Sequence, residues 1–175
     1  MCTSKQPLTI CWEGCACLLV PSETCSDRRE LLLQCAELLP EAPVICPQEL
    51  SHRENGQPYF PAAPALQLSL SACRGWIAAA VAPVPVAVDI ESPTDYDTSF
   101  MRAVSSISEW ENIRCASDPC LAFCRLWTRK EAVLKCSGVG IQNTMQLQSA
   151  LQDSRCRTKT WTMPDVILTL AQRPI

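Results

Sequence analysis

The sequence predicts an α+β fold, on three observations. Apolar or alternating runs of strand length recur at residues 66–71, 75–81 and 84–90, separated by very short turns. One stretch, DPCLAFCRLWTRKEAVLKCSGVGI at residues 118–141, is punctuated as a single helix. Strand and helix material also fills both halves of the chain, roughly 1–83 and 84–175, with neither a repeat nor a linker. The chain has 175 residues, enough for one domain or two small lobes with a core.

In chain order, residues 8–20 hold an apolar run that reads as a strand. Pro21-Ser22 opens a helix running to about Leu39, with Ser22 or Ser26 as cap and Pro40 as its stop. Leu31, Leu32, Cys35, Leu38 and Leu39 form its buried face. A Pro-punctuated segment after Glu41 holds one more strand. Asn55-Gly56-Gln57-Pro58 is a turn, in which Gly supplies positive φ and Pro fixes the next φ. Residues 66–71 alternate as a strand, and 75–81 and 84–90 read as a hairpin about Ala82-Pro83. Residues 93–99 form a polar loop. Ser106 and Glu109 make a capping box that opens a helix. Within 118–141, Asp118 is the cap, Pro119 suits the first helical position, and Gly138 closes the helix in a left-handed conformation. Residues 158–163 and 166–170 pair as a final hairpin about Pro164-Asp165.

Composition excludes several classes. The chain is 47% hydrophobic and 19% charged, with a net charge of −3, which argues against general nucleic-acid binding. No run reaches the length of a membrane span and the N-terminus lacks a signal-peptide layout, so a cytoplasmic protein is expected. Thirteen cysteines then read as reduced thiols acting as small hydrophobes. No CxxC pair occurs and the sole histidine, His52, lies near no cysteine cluster, so a thiolate metal protein is the weakest reading.

Two patterns carry chemistry. Phe123, Trp127, Lys130 and Leu134 share one helical face, and Trp127, Glu131 and Lys135 form an adjoining stripe. Glu131 and Lys135 alone would be an ordinary surface pair worth ~0.3–0.5 kcal/mol. Upstream, Val84-Pro85-Val86-Ala87-Val88-Asp89-Ile90-Glu91 is a strand ending in Asp-x-Glu. Residues two apart on a strand point the same way, so Asp89 and Glu91 aim two carboxylates at one place. Like charges so placed repel unless a cation joins them, and oxygen-only ligation of this kind suits Mg²⁺.

VAVDIE followed by WTRKEAVLK resembles the signature of the 4′-phosphopantetheinyl transferases of the surfactin-synthetase type. That pattern is a strand ending G-hydrophobic-D-x-E, then W-x-x-K-E-x-x-x-K. It is matched at Asp89, Glu91, Trp127, Lys130, Glu131 and Lys135, with Ala87 in place of the Gly. The resemblance implies two similar α+β lobes related by a pseudo-two-fold axis, 1–83 and 84–175, with coenzyme A in the cleft between them. It implies that the serine of an apo acyl or peptidyl carrier protein attacks the β-phosphate of coenzyme A and 3′,5′-ADP leaves. Asp89, Glu91 and Glu131 would hold Mg²⁺, and Lys135 would neutralise the pyrophosphate. Glu109, in a Glu-aromatic pair typical of the family, is either the general base or only the cap of its helix. Asp89, Lys130 and Lys135 also fall on the coenzyme side, Lys130 chiefly as a positioning residue with Trp127. Arg29 stands on the helix that often supplies an arginine near the coenzyme. Gly56-Gln57-Pro58 occupies the place of the family's Gly-Lys-Pro, and Ser69-Leu70-Ser71 that of its Ser-His-Ser, which approaches the 3′-phosphate. Arg53, Arg74 or His52 would substitute for the missing histidine. The departures at Gln57 and Leu70 open an alternative, a weakened paralogue that binds carrier protein or coenzyme A without efficient transfer. The pathway, whether fatty-acid, polyketide or nonribosomal peptide synthesis, is left open, and a monomer is expected by analogy.

Overall fold

Residues 5–40 and 50–174 are described by the computed structural model, and its fold is α+β. The strand expected after Glu41 lies largely outside the described residues. Strands β1 (Leu8–Trp12), β2 (Cys15–Pro21), β5 (Gln67–Cys73) and β6 (Trp76–Ala82) form one antiparallel sheet in the order β1-β2-β6-β5. Strands β7 (Val86–Glu91), β8 (Arg157–Thr162) and β9 (Ile167–Gln172) form a second, in the order β7-β9-β8. A two-residue ladder joins β3 (Ser51–His52) to β4 (Pro58–Tyr59) about the Asn55-Gly56 turn, where Gly56 has φ +82°. The helices are α1 (Arg28–Glu37), α2 (Thr98–Val104), α3 (Ile107–Arg114), α4 (Pro119–Ser137) and α5 (Thr144–Ser149).

The period of two along each strand decides how the layers stack. Cys15, Cys17 and Leu19 of β2 and Ala78 and Ala80 of β6 pack with Val86, Val88 and Ile90 of β7 and Leu168 and Leu170 of β9. The alternate residues Ala16, Ile77, Ala79 and Val81 turn away, against Leu31, Leu32 and Cys35 of α1. On the far side Ala87 and Ala171 meet Ala132, Val133 and Cys136 of α4. The two sheets therefore lie face to face between α1 and α4. Small residues on β6 let the sheets approach closely.

β5 and β7 meet without a shared ladder. Ser69 Oγ accepts from the Val88 N–H at 3.0 Å, and Ser71 Oγ accepts from the Ile90 N–H at 3.2 Å. Two serine hydroxyls thus satisfy the buried donors on the edge of β7 that β9 leaves unpaired.

Four expectations change. The strand at 8–20 is a hairpin, because Glu13 and Gly14 adopt φ of +47° and +78° and reverse the chain. The first helix starts at Arg28 with Asp27 as its cap, not at Ser22, which opens only a short 3₁₀ turn. The hairpin of 75–81 with 84–90 does not form: both edges of β6 are taken by β2 and β5, and β7 pairs with β9. Within the supposed loop at 93–99, Asp97 caps the short helix α2 through the Phe100 N–H. No helix among the described residues is long and apolar enough to cross a membrane.

Candidate active site

α4 keeps its expected punctuation: Asp118 accepts from the Leu121 N–H, Pro119 opens the helix, and Gly138 closes it at φ +73°. Its inner face packs on β7 and β9, where Thr128 and Thr169 share a hydroxyl hydrogen bond of 3.0 Å. That packing sets Trp127, Glu131 and Lys135 beside the end of β7.

There the side chains converge. Lys135 Nζ donates to Asp89 Oδ1 at 2.5 Å and pairs with Glu131 Oε2 at 3.3 Å. Ser71 Oγ donates to the same Asp89 oxygen at 3.0 Å. Trp127 Nε1 donates to Glu91 Oε1 at 3.2 Å. The other oxygen of Asp89, Oδ2, is buried without a hydrogen-bond partner among the described residues.

Electrostatics follow from this crowding. Burial pushes the Asp89 carboxyl up to about 7, with Glu131 adding to the rise and Lys135 and Ser71 opposing it. Burial also raises Glu91, again helped by Glu131. Burial by itself would lower Lys135, but the carboxylates of Asp89 and Glu131 outweigh it and hold the ammonium charged. Glu131 lies within the field of both Asp89 and Glu91, and three carboxylates so placed, one presenting an unpartnered buried oxygen, suit a hard cation with oxygen ligands. Among the described residues no three ligating side chains are already drawn into a metal cluster. Lys135 holds two of the carboxylates instead.

Lys135 also lines a cleft of about 310 Å³. Gln57, Pro58, Ser69 and Leu70 form part of its wall, as do Gly138 and Gly140 beyond the end of α4. Asn55 Nδ2 donates to the Gly138 carbonyl at 3.3 Å and ties the turn of the first half to the exit of α4.

Most of the remaining candidates lie elsewhere. Arg28, not Arg29, lines the cleft; Arg29 pairs with Asp27 at 3.2 Å, in the first turn of α1. Arg53 is not among the lining residues and stacks over Tyr59 at 5.1 Å, whereas His52 lines the cleft. Ser71 is turned to Asp89 and Ile90. Lys130, expected on the coenzyme side, is 0% exposed and does not reach the cleft. Its ammonium donates to the Val104 carbonyl at 2.8 Å and to Glu109 Oε2 at 2.7 Å. Burial lowers Lys130, and Glu109 counters it. Glu109 completes the capping box, its Oε2 accepting from the Ser106 N–H at 2.7 Å. One carboxylate oxygen thus serves as cap and as counter-ion. Arg28 was not singled out by its sequence, since adjacent arginines in a first helical turn give no sign of which faces the neighbouring strands.

Residues 85–169 match the 4′-phosphopantetheinyl transferase superfamily. The chain is 32% identical over 91 residues to the 4′-phosphopantetheinyl transferase psf-1 of Bacillus pumilus, covering 50% of this chain and 38% of that protein. It is 34% identical over 123 residues to the 4′-phosphopantetheinyl transferase AcpT of Salmonella typhimurium, covering 64% of this chain and 63% of the relative. A third relative is the L-aminoadipate-semialdehyde dehydrogenase-phosphopantetheinyl transferase of Saccharomyces cerevisiae, 35% identical over 66 residues, 35% of this chain and 24% of that one. In each case the match spans less than two thirds of the relative's own length.

Proposed function

We propose, from the match of residues 85–169 to the 4′-phosphopantetheinyl transferase superfamily, that the chain transfers phosphopantetheine from coenzyme A to the serine of an apo acyl or peptidyl carrier protein. The observation that carries this reading is the position of Lys135. It lines the cleft and at the same time touches Asp89 and Glu131. A ligand carrying phosphates in that cleft would meet a cation at the edge of a carboxylate cluster.

Such a transfer is mostly positioning and charge neutralisation. Arg28 and Lys135 give the cleft its cationic groups, His52 adds an imidazole, and Gln57 and Pro58 form part of its edge. Asp89, Glu91 and Glu131 are the residues that would hold Mg²⁺, which when bound supplies positive charge against the pyrophosphate. Ser71 and Trp127 fix the rotamers of Asp89 and Glu91. Glu109 is assigned to structure, because its carboxylate already receives the Ser106 N–H and the Lys130 ammonium. Free thiols at all eleven described cysteines accord with a cytoplasmic setting.

The test is mass spectrometry of an apo carrier protein incubated with the chain, coenzyme A and Mg²⁺. A gain of one phosphopantetheine group is expected, and lost when the ion is chelated. A second reading, binding without efficient transfer, is favoured by Leu70 and Gln57 in the cleft wall, where two cations of the family are absent. Calorimetry showing coenzyme A binding in a chain that never modifies the carrier would select it.

A further inference from the structure

Cys136 lies on the last turn of α4, directly after Lys135, and is buried against Ala87, Ala132, Val133 and Ala171. Cys156 stands at the mouth of the same apolar cluster, one residue before β8, and is only partly buried. Cys156 thus packs against the cluster that buries Cys136, and the interaction of the two thiols raises Cys136 and lowers Cys156. Arg173 adds to the lowering of Cys156, and the nearby Asp153 opposes it. The Arg173 N–H donates to the Pro85 carbonyl at 3.0 Å, the same carbonyl that Cys136 Sγ meets at 3.4 Å, which anchors the arginine beside the pair. Cys15 and Cys35 contrast with Cys156: burial pushes both up to about 12, as expected of inert packing thiols.

We infer that Cys136 and Cys156 form a reversible dithiol–disulfide pair, a site of oxidation by hydroperoxides. Cys156, the more accessible sulfur, attacks one peroxide oxygen as its thiolate. The O–O bond breaks, hydroxide leaves and takes up a proton, and Cys156 becomes a sulfenic acid. Cys136 then attacks that sulfur and gives up its proton; the S–S bond forms, the S–O bond breaks, and water leaves. One peroxide is reduced to two waters as two thiols become one disulfide, and an added dithiol reverses the change. The bond closes residues 136–156 into a ring that includes Gly138 and Gly140 of the cleft wall. The site needs no transferase activity and stands or falls apart from that reading.

The experiment uses the full chain, reduced and then treated with a small excess of hydrogen peroxide. Intact mass is expected to fall by two hydrogens and to recover with dithiothreitol. Trypsin cuts after Lys135, Arg155 and Arg157, so the oxidised chain should yield fragment 136–155 linked to fragment 156–157. Cys156→Ser and Cys136→Ala should each abolish this linked pair. Before oxidation, Cys156 should be alkylated near neutral pH about tenfold faster than the exposed Cys115. Cys156 lies at the surface, so Cys156→Ser keeps the test decisive even if Cys136→Ala folds poorly. A disulfide mapped to another pair overturns the inference. So does Cys156 that gains oxygens without linking to Cys136, or a linked mass shift that survives in Cys156→Ser.

Discussion

Glu109→Gln separates chemistry from structure at the one carboxylate whose sequence allows both. The substitution keeps the length of the side chain, and Gln also serves at the third position of a capping box, so the cap loses little. The counter-charge, however, disappears. Lys130 is 0% exposed, and its ammonium would be left buried with neutral acceptors alone, the Val104 carbonyl and the Gln amide oxygen. Breaking a fully buried ion pair by removing one partner costs about 3–5 kcal/mol. The Glu109 side chain is 19% exposed, which reduces the expected loss to about 2–4 kcal/mol. Because burial already lowers the folded pKa of Lys130, the loss should shrink as pH rises and the lysine gives up its proton. Adding Lys130→Met to Glu109→Gln should recover part of the stability, since no buried charge then remains. The assay is urea unfolding of the three variants beside turnover per folded molecule with saturating coenzyme A and carrier protein. A rate within about threefold of the parent is expected, against the 10²–10⁴-fold typical of a lost general base. Stability within about 0.5 kcal/mol of the parent, with the rate down by roughly 10²-fold or more, would refute the structural assignment.

Three other outcomes follow from the site. Asp89 titrates at about 7 in the fold against an ordinary 3.8, so its contribution to stability is full below the lower value and lost as pH rises through the upper one. In chelator, unfolding free energy should therefore decline between about pH 3 and pH 8, by up to ~4 kcal/mol, and Asp89→Asn should flatten the decline; an unchanged slope in the variant would assign it to another group. Ser71→Ala removes the acceptor for the Ile90 N–H and one donor to Asp89, a loss of about 1–3 kcal/mol in chemical denaturation that Ser71→Thr should largely avoid. Equal stability of the alanine and threonine variants would show that the hydroxyl does not clip the sheets. Arg28→Ala should weaken coenzyme A binding in calorimetry by about tenfold, through loss of a charge-assisted contact of ~1.5 kcal/mol, whereas Arg29→Ala should stay within about threefold. The reverse ranking would put Arg29 in the cleft.

Much of the fold was legible because its signals are local. Asp118, Pro119 and Gly138 delimit α4, Ser106 and Glu109 open α3, and Asn55-Gly56 makes its turn, each through residues that are neighbours in sequence. The same locality misled at residues 75–90. Two apolar runs across a short turn look like a hairpin, yet the pairing of β6 was already complete with β2 and β5, strands whose claim on it no local pattern displays. Helices α2 and α5 span seven and six residues, too short for a periodic face to register.

For the site, sequence alone determined which residue types recur at which spacing: Asp89 and Glu91 on one strand face, Glu131 and Lys135 one helical turn apart. Tertiary structure decided what those groups touch. Lys135 reaches Asp89 across 46 residues, Ser71 reaches it across 18, and Lys130 meets Glu109 across 21. It also chose Arg28 over Arg29 for the cleft and His52 over Arg53. The reason is physical. Periodicity and capping follow from backbone geometry within a few residues, whereas an ion pair or a cleft wall depends on which distant faces meet once sheets and helices have packed.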